Sequence, residues 1–525
     1  MLAIVKSTVL RGLDGQIVEV EVDVSRGLPC FDIVGLPDTS VRESKDRVRS
    51  AIKNSGFEFP VKRITVNLAP ADLKKEGPIY DLPVAVGILA ATGQLPQERC
   101  NLFVYLGELS LNGSLKSVTG VLPNVLTARE FSLGEVIVPL ENVKEAALVE
   151  GINAYAAGSL AQLGEFLSGK LEIPPYKLDI KELLESPGVA ASDFSDIKGQ
   201  QAAKRAMEVA ASGGHNLIML GSPGSGKTLL ARSLPGILPE MTFQESIEVT
   251  KIHSLAGQLP GNQPLVTKRP FRCPHHTASP VSIIGGGRIP KPGEVSLAHN
   301  GVLFLDEMPE FNKETLEALR QPLEDGVVTI SRINASLTYP GRFMLIGAFN
   351  PCPCGYYGDP VRECSCTPYQ IQRYMARLSG PLLDRIDLHV EVPRLPYEDL
   401  SDQTRGESSA EIKIRVEQAR AVQRQRFRAD NADNWKGTPE DLARMHSNAS
   451  MGPREVREYC KLNKTARILL KEAFGRLGLS ARSHDRVLKV ARTIADLAGK
   501  EIIEEVHLAE ALQYRSPEKS FKSGF

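Results

Sequence analysis

The chain has 525 residues, too many for one hydrophobic core, so about three domains are expected. Its 63 Lys and Arg balance 63 Asp and Glu, which excludes a global field drawing it toward nucleic acid or membrane; an anionic partner would have to meet local basic patches. The longest charge-free apolar stretch, Leu82 to Leu95, is too short to span a bilayer and holds Pro83 and Gly87.

The first residues, MLAIVKSTVLRGLDGQ, lack the basic-then-apolar layout of a signal peptide, so a cytoplasmic protein with no membrane contact is expected. Residues 1–170 alternate strand-like runs (IVEVEVDV, RITVNLA, LFVYLGEL, EVIVPL) with helical ones (VRESKDRVRSAIKNSG, DLPVAVGILAATG, VKEAALVEG). Turn signals at Leu13-Asp14-Gly15 and Asn112-Gly113 fit a mixed α/β domain. Residues 171–192, with IPPY and SPG, read as a linker. From 193 to 400 the strands are short apolar runs without alternation (NLIML, GVLFL, FMLIGAF), as suits parallel strands buried on both faces. From 401 to 525 the pattern turns helical, which predicts a helical carboxy-terminal domain.

NLIML runs into GSPGSGKT, a G-x-x-x-x-G-K-[ST] phosphate loop: Gly221, Ser222, Pro223, Gly224, Ser225, Gly226, Lys227 and Thr228, with Leu229 opening the next helix. The glycines let backbone amides face the phosphates, and the helix adds its N-terminal dipole. Lys227 would bring positive charge to the β- and γ-phosphates, and Thr228 a hydroxyl to magnesium. GVLFLDE then ends an apolar strand in two carboxylates. Asp306 suits the magnesium shell and Glu307 the polarisation of attacking water; alone, the pair could merely cap a helix. FMLIGAFN ends in Asn350, whose amide could position that water against the γ-phosphate. ATP and magnesium are the implied cofactors.

Two arginine segments follow. In LSGPLLDRIDLHVEV, Arg385 stands between Asp384 and Asp387. It reads either as a local ion pair or as a finger reaching a neighbouring subunit's γ-phosphate, which would require an oligomer. LSARSHDRVLKVAR holds Arg482 and Arg486 on one helical face, with Arg492 farther along. Arg482 is the favoured lid contact to nucleotide, with Arg486 in reserve.

These motifs, with GLPDTSVRESKDRVRSAI, NLAPADLKKEGPIYDLPVAVGILAA, GELSLNGSLKSVTGVLPN, RPFRCPHHTASPVSIIGGG and PGEVSLAHNGVLFLDEMPEF, resemble the ComM/YifB family of competence-associated, magnesium-chelatase-like AAA+ ATPases. The resemblance covers nearly the whole chain. It implies an AAA+ P-loop αβα core, a helical lid, a homo-hexameric ring and DNA as substrate, with branch migration during natural transformation or recombination. The first domain resembles the Lon-protease-like, ribosomal protein S5 domain 2-like fold. KEGP is followed here by Ile79 where the protease has its serine, and Leu122 falls where it has its lysine, so proteolysis is not expected.

NPCPCGYYGDPVRECSC spaces Cys352, Cys354, Cys364 and Cys366 as C-x-C-x9-C-x-C. Four thiolates on one loop could close a structural zinc site, although C-x-C is tighter than the usual spacing. An iron–sulfur cluster and four unmetallated thiols are the alternatives. Cys30, Cys100, Cys273 and Cys460 read as packing residues, and His275 and His276 as loop or subunit-contact histidines.

Candidate DNA contacts sit in two insertions. KRPFRCPHHTASPVSIIGGGRIPKPGE offers Lys268, Arg269, Arg272, Arg288 and Lys291 with no acid before Glu294, and Gly285 to Gly287 would permit a mobile loop. DGVVTISRINASLTYPGRF reads as a hairpin with Arg332 at its turn. These cations could track a phosphate backbone, or lie on acidic neighbours. The leading expectation is an ATP-driven DNA translocase or helicase. The alternative is a magnesium-chelatase-type remodeller of a partner protein. An ATP-binding scaffold without turnover fits poorly with Glu307, Asn350 and Arg385.

Overall fold

The computed structural model describes residues 1–180, 183, 192–259, 263–287, 290–332, 335–401, 405–429, 447–477 and 480–515. Arg288 and parts of the expected linker lie outside them, as does the side chain of Arg332.

The amino-terminal part is built on a seven-stranded mixed sheet. Its order is Cys30–Val34, Arg63–Ala69, Asp14–Ser25, Leu2–Arg11, Val104–Tyr105, Glu135–Pro139 and Asn153–Ala157. Leu2–Arg11 and Asp14–Ser25 form an antiparallel hairpin with Arg11 opposite Asp14, so the turn is Gly12-Leu13 rather than Leu13-Asp14-Gly15. Gly12 takes φ +69°, which a glycine adopts without steric penalty. Alternation in IVEVEVDV buries Val18, Val20, Val22 and Val24. The run LFVYLGEL divides into two short strands, Val104–Tyr105 and Glu108–Leu109, and VKEAALVEG yields only the helix Val143–Ala146.

The charge-free stretch at Leu82 becomes the helix Asp81–Ala91, buried along its whole length. It lies so close to the sheet that a Cβ on Gly87 would stand 2.6 Å from Val22 Cγ2. Among the described residues, no helix is long and apolar enough to cross a membrane.

The second unit carries five parallel strands in the order Phe271–Arg272, Val302–Leu305, Met344–Phe349, Leu217–Leu220 and Leu388–Glu391. Their continuous apolar runs are explained by cover on both faces. Leu217, Met219, Phe304, Ile346 and Ala348 join one core with the carboxy-terminal helices, including Val487 and Ile494. Ile218, Leu303, Leu305, Leu345 and Phe349 join another, with Val328 and Tyr339 of a hairpin. That hairpin, Val327–Arg332 with Ala335–Pro340, is the one expected around Arg332. The glycine run is not a free loop: Gly285 and Gly286 pair antiparallel with Pro292 and Lys291.

Helices Ser409–Ala429, Pro453–Tyr459, Lys464–Leu477, Ala481–Leu497 and Glu505–Gln513 make up the carboxy-terminal part. The amino-terminal part docks on the helix Phe243–Leu255. Gly120 N–H donates to the Ser254 carbonyl at 3.1 Å, the Ser254 hydroxyl donates to the buried Glu145 carboxylate, and Ile247 and Leu265 join the core around Val121 and Leu122.

Candidate nucleotide site and four-cysteine loop

Strand order brings the motif residues together. Met344–Phe349 lies between Leu217–Leu220 and Val302–Leu305, so three adjacent parallel strands end beside one another at Gly221, Asp306 and Asn350. Gly221 is forced by packing, since a Cβ there would stand 2.2 Å from the Val392 carbonyl oxygen. Gly226 takes φ +96° immediately before the helix Lys227–Ser233.

Lys227 Nζ donates to the Gly221 carbonyl at 2.7 Å, the Ser222 carbonyl at 2.9 Å and Asn350 Oδ1 at 3.2 Å. Burial pulls its ammonium down to about 8, against the opposing pull of Asp306 and Glu307. The Thr228 hydroxyl donates to Asp306 Oδ2 at 2.8 Å. The Glu307 amide donates to Asp306 Oδ1 at 3.0 Å, and Glu307 itself takes φ +51°, a strained setting for a residue with a side chain. Leu229 is exposed at the start of the helix, while Ser225 is buried below it.

Two neighbours of this site carry no linear motif. Gln200 Nε2 donates to the Ser225 carbonyl at 3.2 Å and the Pro393 carbonyl at 2.7 Å, tying the phosphate loop to the last strand of the sheet. His276 Nδ1 lies 3.5 Å from Glu307 Oε2. The loop after Phe271–Arg272 therefore brings His276, a loop histidine as expected, beside the carboxylate.

Arg385 is buried. Its guanidinium pairs with Glu324 and donates to the Pro381 carbonyl at 2.7 Å. Arg482 is exposed, 3.6 Å from the other Glu324 oxygen. Arg486 donates to the Arg385 carbonyl at 2.7 Å and Asp387 Oδ1 at 2.6 Å. Arg492 is buried on Asp496, so neither of these two is available as Arg482 is. Desolvation would raise the Asp387 carboxyl, but Arg486 and His215 outweigh it and hold it well below the usual range.

The four cysteines cluster. Cys352 Sγ lies 3.3 Å from Cys354 Sγ and 3.6 Å from Cys364 Sγ, and Cys354 to Cys364 is 3.5 Å. All four sulfurs lie within 4.8 Å of one another, and the cysteines are free. Cys354 N–H donates to Cys366 Sγ and Cys366 N–H to Cys364 Sγ, both at 3.4 Å. Desolvation pushes the Cys354 thiol up, but the Tyr356 amide and the neighbouring thiols overcome it and bring it to about 5. Cys100 and Cys460 are buried as expected of packing residues, whereas Cys30 and Cys273 are exposed and do not pack.

A family model described as magnesium chelatase, subunit ChlI, matches residues 193–400. A second, for subunit ChlI of Mg-chelatase, matches residues 20–142, and a third, for the ChlI C-terminal part, residues 406–515. Competence protein ComM of Haemophilus influenzae is 47% identical over 517 residues, covering 98% of this chain and 97% of its own length. The chain belongs to the ComM/YifB family. Escherichia coli YifB, which carries no described function, is 45% identical over 519 residues, 98% of this chain and 97% of its own. The likeness to the Chlorobaculum parvum magnesium-chelatase 67 kDa subunit is shorter: 29% over 164 residues, 30% of this chain and 23% of that protein. The family is of magnesium-chelatase-like AAA+ proteins, and the five parallel strands with their phosphate loop are consistent with it.

In this ComM/YifB member two of the candidate DNA contacts point inward. Arg269 donates to the Pro239 and Asn300 carbonyls at 2.6 and 2.7 Å and pairs with Glu245. Arg272 pairs with Glu294 through two hydrogen bonds of 2.6 and 2.9 Å. The acid that closes the basic stretch in sequence is thus the partner of one of its arginines. Lys268 and Lys291 are exposed.

Proposed function

We propose that this chain is a magnesium-dependent ATPase that assembles as a hexameric ring and drives DNA, as a branch-migration helicase or translocase in natural transformation or recombination. The observation that carries the ATPase part is the convergence of Lys227, Thr228, Asp306 and Asn350 at the ends of three adjacent strands. Lys227 binds the β- and γ-phosphates. Asn350, held by Lys227, fixes the water that Glu307 polarises. Thr228 and Asp306 would hold magnesium, which would neutralise phosphate charge. The Thr228 hydroxyl and the Asp306 carboxylate, already 2.8 Å apart, offer the hard oxygen donors that magnesium would take. Arg385 acts on the nucleotide of the next subunit, and Arg482 on its own.

Residues 193–400 are the ATPase core, 401–525 the lid, and 1–170, beyond a linker at 171–192, a Lon-protease-like domain. Ile79 and the buried Leu122 supply neither nucleophile nor base, so that domain is a contact platform. The donor chemistry of the cysteine loop fits zinc. Tetrahedral thiolates about 2.3 Å from zinc stand about 3.8 Å apart; the sulfurs of Cys352, Cys354 and Cys364 lie 3.3–3.6 Å apart, and all four lie within 4.8 Å of one another.

The DNA part rests on the relatedness to a competence protein and on Lys268, Lys291 and the Arg332 hairpin. ATP-dependent displacement of a strand from forked DNA tests it, with Lys227→Ala as the inactive control. The protein-remodelling reading is favoured by one observation, the inward pairing of Arg269 and Arg272. Turnover without any strand displacement would support that reading instead.

A further inference from the structure

We propose that the four-cysteine loop is a zinc-held brace for the phosphate loop, so that metal occupancy of Cys352, Cys354, Cys364 and Cys366 sets the affinity of the nucleotide site. The proposal rests on the zinc reading above and adds to it what the metal is for.

The loop touches the nucleotide site at two points. Between the two cysteine pairs, Asp359 Oδ2 accepts the Ser222 hydroxyl at 2.7 Å. Its other oxygen is held by its own loop, accepting the Val361 and Arg362 amides at 2.9 and 3.0 Å. The side chain therefore bridges the cysteine loop to the second residue of the phosphate loop. Gly355 lies flat against the third: a Cβ there would stand 2.5 and 2.6 Å from Pro223 Cγ and Cδ. Gly355 takes φ +88° and donates to the Cys352 carbonyl at 3.0 Å, so its approach to Pro223 is set by the turn that places the first two thiols. The strand that leads into the loop ends in the site as well: Asn350, two positions before Cys352, accepts from Lys227.

The loop has little of its own to hold these contacts in place. From residue 353 to 366 it contains no helix or strand, and only Gly355 is buried. Its apolar side chains face outward: Val361 is 74% exposed and Tyr357 45%. Arg362 lies over the Tyr356 ring at 4.4 Å, a surface contact that cannot replace a core. What the loop does enclose is the sulfur cluster, with two amides aimed at its thiols. A segment without an apolar core folds around its metal, and metal binding becomes folding free energy. Emptying the thiols would release Asp359 from Ser222 and Gly355 from Pro223, and the phosphate loop would have to order itself as nucleotide binds.

The test uses the full chain and two separate readouts, zinc by elemental analysis and binding of a fluorescent ADP analogue after magnesium is restored. As purified, the protein should carry one zinc per chain. Removing it with a chelator should weaken ADP binding by about five-fold or more, the scale of one missing hydrogen bond with its ordering, and added zinc should restore it. Asp359→Ala, which leaves every cysteine in place, should keep its zinc and bind ADP several-fold more weakly. Ser222→Ala should do the same, and the double variant should be no weaker than either single one. Protein that neither carries nor takes up zinc overturns the zinc reading. Protein that carries zinc, but binds ADP equally well or better after its removal and in Asp359→Ala, overturns the brace and leaves the zinc reading standing.

Discussion

Lys227 and Asn350 lie 123 positions apart and meet at 3.2 Å, the ammonium donating to the amide oxygen. The contact exists because the strand before Asn350 is inserted between the strands that end at Gly221 and Asp306. One residue thus touches the lysine of the phosphate loop, and its strand lies beside the one that ends at Asp306.

The Lys227 ammonium predicts the pH dependence of binding. Burial brings it to about 8 in the free protein, and nucleotide phosphates would raise it, so binding takes up a proton above pH 8. ADP affinity should be level below pH 8 and fall as pH rises through it, by up to about ten-fold per unit. Titration of a fluorescent ADP between pH 7 and 9.5 reads this. A flat profile would show that Lys227 keeps its ordinary basicity.

Glu307→Gln should leave nucleotide binding intact and lower turnover by about 100-fold or more, the usual loss of a general base. His276→Ala, which removes the neighbour 3.5 Å from that carboxylate, should lower turnover by a smaller factor with ADP binding unchanged. Single-turnover hydrolysis alongside ADP titration separates the two effects. Equal turnover in His276→Ala and the parent chain would show the contact to be incidental.

Arg385→Ala should abolish turnover while each chain still binds ADP. Within one chain Arg385 is occupied by Glu324, so as a finger it must exchange that partner for a phosphate across the subunit interface. Normal turnover in the variant would reduce Arg385 to the partner of Glu324.

Arg486→Ala should act on folding instead. It leaves the buried Asp387 without its closest cation, a loss of about 3–5 kcal/mol for a broken buried pair. Thermal or urea unfolding measures it. A loss below about 1 kcal/mol, the worth of an exposed pair, would place that contact among the weak ones.

How much was legible follows from what each residue's role depends on. The phosphate loop, the carboxylate pair and Asn350 could be read because each ends an apolar strand, and a parallel sheet gathers such ends at one edge. The hairpin around Arg332 and the carboxy-terminal helices were also legible in their period. The strand Leu2–Arg11 was not, because Ser7 and Thr8 are buried and interrupt its apolar pattern; they bond to the Tyr105 carbonyl and to Asn124. Nor could local sequence show that Arg269 turns to Glu245, since that glutamate arrives from another helix. Gln200, His276 and Asp359 belong to the site through tertiary contact alone.

Lys268→Ala and Lys291→Ala together should weaken DNA binding across sequences and flatten its salt dependence by roughly one unit of slope for each phosphate left without its cation. The same double substitution at Arg269 and Arg272 should destabilise the chain locally instead, because Glu245 and Glu294 would lose their guanidinium partners. Binding measured against salt, with thermal unfolding, distinguishes the two pairs. An unchanged slope in the lysine variant would remove that insertion from the DNA path.

The steady-state rate of ATP hydrolysis, measured with and without single-stranded and forked DNA at low and moderate salt, tests the central claim most directly. An ATPase that drives DNA should turn over faster with DNA present and lose that stimulation as salt rises, with Glu307→Gln silent throughout. Turnover that is the same with every form of DNA would contradict the DNA motor, and an absence of turnover under all conditions would contradict the ATPase itself.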